Sequence, residues 1–473
     1  MRITRTFILL FLLISLMSLV IPVLPPIPYD YETLNLPAHF TADGWPIPSV
    51  TYWENTPANN AITNDGATLG RVLFYDKSLS ANGTTSCASC HKQTYAFADS
   101  VAHSAGFNGG LTRRNSMTLV NTRWYFGGRM FWDTRASSLE NQVLMPFTDT
   151  VEMGNTLPAI LQTIRQHPYY AQLFQNAFGD TSVTTSRISL ALAQFIRSIV
   201  SDSSKYDIGR ASVTSIFDPF PNFSTSENIG KNIFFNTFQN GGGDCFMCHK
   251  TEAFVNDASG PSCNGLDAVS TTDKGMFEST GNNGDIGKFK VTSLRNIALT
   301  APYMHDGRFA DLNQVVAFYN SGIQLHMNLS PGLIDTTGGV SSPRVMNLAQ
   351  QQIYGLIDFL KTLTDSSLIN EVKWSDPFSL STSTSNNIDL NQAISLFPNP
   401  ASDHFSIAGT KELDNRIADL TLFDSHGKIV LSKKTILSSG QQIYIDKLND
   451  GLYFVRIQIG DFVSVSKLSK LNQ

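Results

Sequence analysis

Hydrophobic residues recur with helical periodicity through most of the chain. Apolar side chains repeat at intervals of three and four residues around 187–196, 311–320 and 347–363, a spacing that predicts helices with one or more buried faces. The pattern Ser224-x-x-Glu227 is a capping box, which predicts that a helix begins there and continues through Phe235. The greater part of the protein is therefore expected to be helical.

The pattern changes in the C-terminal part, residues 391–473. Apolar and polar residues alternate in Leu420-Thr421-Leu422-Phe423 and in Tyr453-Phe454-Val455-Arg456-Ile457, and glycines stand between such runs. Alternation of this kind is typical of strands with one buried face. The segment is predicted to form a small antiparallel β-sandwich domain, so the expected fold is mainly α followed by β.

The N-terminus has the pattern of an export signal. Arg2 and Arg5 precede an apolar run, and Pro25-Pro26 follows it, which is typical of a secretory signal that is cleaved near the prolines. The alternative is a membrane anchor, because the run from Thr6 to Leu24 is just long enough to span a bilayer. Export would place the cysteines in a compartment where they can be oxidised or attached to a cofactor.

Composition shifts predict the boundaries of the domains. A helix is expected before each of two cysteine pairs, ending in Leu73-Phe74 or in Phe234-Phe235, which indicates a remote internal duplication. Residues 25–70 are rich in proline and asparagine and are expected to wrap over another domain. The predicted segments are a signal (1–24), a first helical domain (25–215), a second helical domain (216–375), a polar linker (376–390) and the β domain (391–473).

Charge and length exclude several classes of protein. The 473 residues are enough for two to four domains, 42% of them are hydrophobic, and only 15% are charged. The formal net charge of −5 argues against a basic nucleic-acid-binding protein and against a disordered polyelectrolyte, so no nucleic-acid partner is expected. Five cysteines are too few for a disulfide scaffold of this length.

Four of the five cysteines belong to two short motifs that carry chemistry. They read Cys87-Ala88-Ser89-Cys90-His91 and Cys245-Phe246-Met247-Cys248-His249. Cys-x-x-Cys-His is the attachment signature of c-type haem, in which both thiols form thioethers to the porphyrin and the histidine ligates iron. Two such motifs in one exported chain predict two covalently bound c-type haems, with His91 and His249 as proximal ligands.

Two other interpretations of the cysteine pairs remain open at this point. A zinc site would require the pairs to converge and would leave the adjacent histidines unexplained. A thioredoxin-like redox pair would require a βαβ context that the pattern does not predict. Cys263 has no partner in sequence and is expected to be a buried thiol.

Residues 65–365 resemble the bacterial dihaem cytochrome c peroxidase family, including its MauG-like branch. The resemblance implies two cytochrome c-like haem domains in tandem, with peroxide reacting at the N-terminal haem and electrons entering through the C-terminal haem. It is carried by Arg114-Asn115, Phe131-Trp132-Asp133-x-Arg135-Ala136-Ser137-Ser138-Leu139-Glu140-x-Gln142, Pro146, Glu152-Met153-Gly154, Ser204-Lys205-Tyr206-Asp207, Ser293-Leu294-Arg295-Asn296 and Thr300-Ala301-Pro302-Tyr303-Met304-His305-Asp306-Gly307.

The resemblance also implies roles for individual residues. Glu152 corresponds to the distal acid/base, and Gln142 to an amide in the same pocket, which Pro146 helps to shape. Trp132 corresponds to a tryptophan between the haems. The alternatives are a surface carboxylate for Glu152 and ordinary aromatic packing for Trp132. Ligands of an interhaem calcium ion are implied at Asn115, Thr300 and Pro302, for which the alternative is an ordinary turn.

Two departures from the typical peroxidase favour the MauG-like branch. Phe107 stands where those peroxidases carry a histidine that blocks the peroxidatic iron until reduction, although His103 is nearby. Tyr319 stands where they carry the methionine that ligates the C-terminal haem; a tyrosine ligand would favour ferric iron. Core packing of Tyr319, or ligation by Met304 or Met327, are the alternatives. The departures together imply a first haem that reacts with peroxide without reductive activation.

The β domain resembles the type A sorting domain of the type IX secretion system. The carrying residues are Leu396-Phe397-Pro398-Asn399-Pro400-Ala401, Leu422-Phe423-Asp424-x-x-Gly427 and Leu448-x-x-Gly451-Leu452-Tyr453-Phe454-Val455. The resemblance implies passage through the periplasm and delivery by the secretion machinery to the cell surface or the medium. A carbohydrate-binding or adhesive β sandwich is the alternative.

The expected activity is the reduction of hydrogen peroxide to water. The electrons would come from a small cytochrome, a cupredoxin or another donor through the C-terminal haem. Two alternatives remain: a MauG-like oxidase that modifies a partner protein, and a dihaem electron-transfer cytochrome without catalysis.

Overall fold

In the computed structural model, the chain divides into two compact units, residues 1–380 and 381–473. Nine stretches of the chain are described. The described residues are 21–44, 46–255, 260–337, 339–378, 395–408, 417–424, 428–436, 441–459 and 462–471. Most of the predicted signal 1–24 and of the predicted linker 376–390 lies outside them, so both stay predictions. Among the described residues, no helix is both long and apolar enough to cross a membrane.

The first unit is built from helices and loops. One π-helical turn, Phe318–Gly322, extends α12, and a two-stranded antiparallel ribbon, β1 Ile334–Asp335 with β2 Ser342–Pro343, follows it. The α-helices of the described residues are α1 Ala38–Thr41, α2 Asn64–Tyr75, α3 Cys87–Cys90, α4 Leu139–Gln142, α5 Met145–Thr148, α6 Leu157–Gln166, α7 Pro168–Phe178, α8 Thr185–Arg197, α9 Lys205–Arg210, α10 Thr225–Phe235, α11 Phe277–Thr280, α12 Leu312–Ala317, α13 Gln350–Thr362 and α14 Ser366–Asn370.

The capping signals in the sequence define several of these helix ends. Ser224 caps α10 by accepting a hydrogen bond from Glu227 N at 3.2 Å, as the capping box predicts. Thr63 caps α2 in the same way through Gly66 N, so that helix begins at Asn64. This helix ends at Tyr75 and is the one predicted to precede the first cysteine pair, and its first residues belong to the segment 25–70.

Two helix pairs support the two halves of this unit, and each pair crosses at a glycine. A Cβ added to Gly70 of α2 would lie 2.0 Å from Ala191 O of α8, and one added to Gly230 of α10 would lie 1.9 Å from Gly355 O of α13. Only glycine allows backbones to approach this closely. Because a close helix contact at a glycine occurs in both halves, it is consistent with the internal duplication that the sequence indicates.

Each helix pair belongs to its own hydrophobic core. The first core joins α2, α6, α7 and α8 and includes Phe74, Phe174 and Phe195. The second joins α10, α12 and α13 and includes Phe234 and Phe359. The two cores lie within one compact unit, so the division into separate domains at residue 215 stays a prediction.

The N-terminal segment before α2 packs over the helices that follow it. The Tyr31 hydroxyl donates to Lys373 O, and His39 Nε2 lies 3.1 Å from Asp207 Oδ1. Phe40 is buried against Trp124 in a small separate cluster.

The second unit consists of two antiparallel sheets, which confirms the predicted C-terminal β region. Side chains from both sheets, among them Phe405 and Val455, form a single core, which is the arrangement of packed sheets. The strand orders are β3-β4-β7 and β6-β5-β8-β9, formed by β3 Ser395–Phe397, β4 His404–Ala408, β5 Ile417–Asp424, β6 Ile429–Ile436, β7 Gln441–Tyr444, β8 Gly451–Ile459 and β9 Phe462–Lys470.

Candidate functional site

The first cysteine pair lies on a single helical turn. In α3, Ser89 Oγ accepts a hydrogen bond from Ser86 N at 3.0 Å and fixes the start of the turn. Cys87 and Cys90 are three residues apart and therefore share one face of the turn. Both are free thiols, and burial raises the pKa of Cys87 to about 12, so it is protonated at neutral pH.

The histidine that follows this pair is held by a tight turn. Ala96 and Phe97 adopt left-handed backbone conformations with φ of 51° and 58°, an uncommon geometry for residues other than glycine. The turn brings Phe97 O to 2.9 Å from His91 Nδ1. Since Nδ1 then donates to this carbonyl, Nε2 keeps the lone pair that a metal ion requires. Burial also lowers the pKa of His91, which favours the neutral imidazole.

A cavity of about 560 Å³ lies beside this motif, and most of the predicted catalytic residues line it. Neither His103 nor Phe107 lines it; the Phe107 ring instead lies against Gly154, where an added Cβ would come within 2.2 Å of it. The predicted residues that line the cavity are Cys87, Cys90, His91, Asn115, Trp132, Gln142, Pro146 and Glu152.

Glu152 has the electrostatic properties of an acid/base group. Burial and the nearby Asp149 carboxylate raise the pKa of Glu152 to about 7, and Arg135 opposes the shift. Its backbone is fixed from two sides, because Glu152 N donates to Asp149 Oδ1 at 3.1 Å and Glu152 O accepts from Phe107 N at 2.9 Å. At neutral pH the side chain is therefore able both to accept and to return a proton.

The second cysteine pair lines a separate cavity of about 250 Å³. The pair begins on a 3₁₀ turn, Cys245–Met247, and Cys245, Cys248 and His249 all line the cavity. Burial lowers the pKa of His249 to about 4, so this imidazole is neutral and able to ligate a metal ion.

Tyr319 lines the second cavity from the π-helical turn after α12. Its hydroxyl accepts a hydrogen bond from Asn264 Nδ2 at 3.4 Å, and burial raises the pKa of Tyr319 to about 12. Met304 also lines this cavity, with its sulfur 3.6 Å from the same Asn264 nitrogen. Met327 is 75% exposed and lies outside the cavity, so of the two methionines considered as ligands only Met304 is placed to compete.

Trp132 forms part of the walls of both cavities. Its Nε1 donates to Asn115 O at 2.8 Å, and its ring meets His305 edge to face with the centroids 6.4 Å apart. Trp132 therefore lies at the wall between the two cavities, and its role between the haems stays a prediction.

The residues implied as calcium ligands are only partly brought together. Asn115 lines the first cavity, and its backbone N donates to His305 O at 2.8 Å. Thr300 and Pro302 line neither cavity, and no hydrogen bond among the described residues joins either of them to Asn115. The geometry therefore leaves the calcium site a prediction.

The donor groups fit covalent haem in both cavities. In each, two cysteine thiols and a histidine whose pKa is lowered by burial line one cavity, as thioether attachment and proximal ligation require. A zinc site is not supported, because the cysteine pairs line different cavities. Among the described residues, no group of three or more His, Cys, Asp or Glu side chains is placed to hold a metal ion.

Sequence reasoning missed many residues of the cavity walls, among them Lys290 and Met346. Lys290 lines both cavities, and Met346 lines the second. Nothing in the spacing of either residue identifies it, although Lys290 lies three residues before the Ser293-Leu294-Arg295-Asn296 motif.

The comparisons with known proteins agree with this arrangement. Residues 64–211 match the family model described as di-haem cytochrome c peroxidase. The chain is 30% identical over 308 residues to the methylamine utilization protein MauG of Methylorubrum extorquens, which covers 65% of this chain and 80% of that protein. It is 31% identical over 302 residues to the cytochrome c551 peroxidase of Nitrosomonas europaea, over 63% of this chain and 80% of the relative.

Solved structures of similar fold include dihaem proteins. A MauG-like protein associated with microbial copper homeostasis aligns with a TM-score of 0.60 and 30% identity, covering 71% of this chain and all of that one. The diheme peroxidase BthA of Burkholderia thailandensis aligns with a TM-score of 0.53 and 22% identity, covering 67% and 91%, which shows likeness of fold. The chain belongs to the di-haem cytochrome c peroxidase family, a family of oxidoreductases that implies two c-type haems.

The second unit has its own match. Residues 395–470 match the family model of a secretion system C-terminal sorting domain, which confirms the predicted resemblance and supports export towards the cell surface or the medium.

Proposed function

We propose that this protein is a hydrogen-peroxide-dependent dihaem enzyme whose first cavity accepts peroxide without prior reduction. The observation that carries this proposal is the first cavity itself. Glu152, Gln142 and His91 all line it, whereas His103 does not, and neither does Phe107, which stands where typical peroxidases carry the blocking histidine.

The side chains of the first cavity have complementary roles in the proposed reaction. A haem attached to Cys87 and Cys90 supplies the redox-active iron. Glu152 in its carboxylate form takes a proton from hydrogen peroxide and returns it to the departing oxygen, which leaves as water. The Gln142 amide orients peroxide by hydrogen bonding.

Electrons are proposed to enter through the second cavity. The complete reduction of one peroxide to two waters consumes two electrons and two protons, so an external donor is required. Trp132 contributes to both cavity walls and supplies an aromatic group between them. A small cytochrome or a cupredoxin is the proposed class of donor.

Optical and electron paramagnetic resonance spectra of the ferric protein, before and after peroxide addition, test this proposal. We expect one high-spin haem that reacts with peroxide in the fully oxidised protein. Two low-spin haems without a response to peroxide would contradict it and would favour an electron-transfer cytochrome.

One observation favours a second candidate, a MauG-like oxidase that modifies a partner protein. Tyr319 lines the second cavity, where a phenolate ligand would favour ferric iron over ferrous. Turnover distinguishes the two candidates. Rapid reduction of peroxide with a reduced cytochrome as electron donor favours the peroxidase. The oxidase is favoured if peroxide is consumed at a rate independent of such donors and residues of an added protein are oxidised.

A calcium ion is a further part of the proposal. It is supported by the buried Asn115, whose backbone N donates to the carbonyl of His305, three residues after Pro302 in the chain. Amide and carbonyl oxygens are suitable ligands for Ca²⁺. Elemental analysis of the holoprotein is expected to find one calcium per chain, lost in Asn115→Ala; a calcium-free active holoprotein would contradict the assignment.

Export is proposed to proceed through the periplasm and then by type IX secretion. The matched sorting domain at residues 395–470 supports the second step. The first step depends on the N-terminal signal predicted from the sequence.

A further inference from the structure

Lys290 lies in the wall that the two cavities share. Within the described part of the chain, Lys290 and Trp132 are the two residues that line both cavities. Its backbone N donates to Trp132 O at 2.8 Å, so the two residues are held side by side. Only 8% of Lys290 is exposed to solvent.

The ammonium group of Lys290 has unusual surroundings for a buried cation. Nζ lies 3.4 Å from Met130 Sδ and 3.6 Å from the centroid of the Tyr125 ring. Among the described residues, no carboxylate lies within salt-bridge distance of it. Burial lowers the pKa of Lys290 to about 7. Burying an ammonium without an anionic partner is costly, and among the described residues no carboxylate offsets this cost for Lys290.

The other cations of the two cavities are already paired. Arg114 and Arg135 both bind Asp133, at 2.6 and 3.0 Å. Arg113 contacts Glu278 at 2.7 Å, and in the second cavity Arg344 contacts Asp244 at 2.6 Å. Lys290 therefore differs from every other lysine or arginine that lines either cavity.

A haem carries propionate carboxylates, which are anions of the kind that Lys290 lacks. We propose that Lys290 is the buried counter-cation of a haem propionate at the shared wall, and that its charge raises the reduction potential of that haem. This inference rests on the proposed binding of haem in both cavities. A positive charge stabilises the reduced haem, which has one positive charge fewer than the oxidised haem, so its removal lowers the potential.

Spectroelectrochemical titration of both haems in the full-length holoprotein tests the inference. Lys290→Met keeps an unbranched apolar chain and removes the charge. We expect the potential of at least one haem to fall by an amount equal to a tenfold change in the ratio of oxidised to reduced haem, which is about 59 mV for a one-electron couple. Lys290→Arg, which keeps the charge, is expected to retain most of the wild-type potential.

Lys231→Met is the matched control. Lys231 is also fully buried and lies over an aromatic ring, 4.8 Å from the Phe220 centroid, but it lines neither cavity. Its removal is expected to leave both potentials unchanged. Unchanged potentials in a Lys290→Met protein that retains both haems would overturn the inference.

A second neutral variant covers the case in which Lys290→Met does not mature. Lys290→Gln keeps a hydrogen-bond donor without a charge, and the same fall in potential is expected. Loss of haem from both neutral variants, with full haem content in Lys290→Arg and Lys231→Met, would also support a charge requirement. Haem content and potentials are measured without peroxide, so failure here is distinct from failure of the proposed enzymatic activity.

Discussion

At the scale of the residue, Glu152 is the side chain on which the proposed proton transfer depends. Its carboxylate must be ionised to accept a proton, and its pKa is raised to about 7 by burial and by Asp149. The rate constant for the reaction with peroxide is therefore expected to rise as the pH rises through about 7 and to level off above it. Glu152→Gln is expected to slow this reaction by about 100-fold or more, measured by stopped-flow absorbance, and to remove the pH dependence.

Two substitutions control for this interpretation. Asp149→Asn keeps the acceptor of the Val151 and Glu152 backbone N–H groups but removes the charge, so the pH profile should move to lower pH. Glu278→Gln alters another carboxylate of the same cavity, one that Arg113 holds, and should leave the peroxide rate largely unchanged. An unaltered rate in Glu152→Gln with both haems retained would exclude the acid/base role.

Tyr319 makes a separate prediction for the second haem. Tyr319→Phe keeps the aromatic ring and removes the hydroxyl group, which accepts the hydrogen bond from Asn264. If the hydroxyl ligates iron, the absorption and paramagnetic resonance spectra of the second haem change. Tyr303→Phe is the matched control, because Tyr303 lines the same cavity while its hydroxyl donates to Ile297 O at 2.9 Å. Identical spectra for Tyr319→Phe and wild type would remove Tyr319 as a ligand.

The residues that the sequence revealed differ in kind from those that it did not. Cys87, Cys90 and His91 were predicted without structure, because covalent attachment requires them to be adjacent in the chain. Lys290 and Met346 reach the cavities only through tertiary folding, so no local spacing identifies them.

At the scale of the element, the crossing of α10 and α13 depends on Gly230. A methyl group there would meet Gly355 O at 1.9 Å, which forces the two helices apart. Gly230→Ala is expected to lower the free energy of unfolding by about 1–3 kcal/mol, as overpacking commonly does, and to lower the melting temperature measured by circular dichroism. Gly44→Ala is the control, since an added Cβ at Gly44 has no atom within 4 Å and is expected to be nearly neutral.

Helices that begin at a clear capping motif could be predicted from the sequence. The irregular turn that lines the second cavity could not. The capping box at Ser224 and the end of α10 at Phe235 follow directly from the sequence. The periodicity of 311–320 predicts one helix, but the structure has α12 and then a π-helical turn that contains Tyr319. Such turns widen the backbone and frequently occur at functional sites, and apolar spacing does not distinguish them from an α-helix.

At the scale of the whole molecule, the first unit combines two similar halves into one arrangement. Each half has a helix pair that crosses at a glycine and a cavity with its own cysteine pair. Of the residues that the structure describes, only Trp132 and Lys290 line both cavities. Duplication was visible in the sequence because each half repeats its local motif. The shared wall was not, because it is formed between halves.

The second unit leads to a prediction about the complete chain. Residues 381–473 form a separate compact unit with its own core, and the residues of both cavities lie before residue 381. A chain that ends at Leu380 is therefore expected to bind both haems and to react with peroxide at the full-length rate. In a host with type IX secretion, the full-length protein should reach the surface or the medium, while the truncated protein should stay in the periplasm. Cell fractionation, with haem staining of each fraction, measures both outcomes. Loss of haem or of peroxide reactivity on truncation would show that the β unit contributes to the catalytic unit, and equal export of both chains would contradict a sorting role.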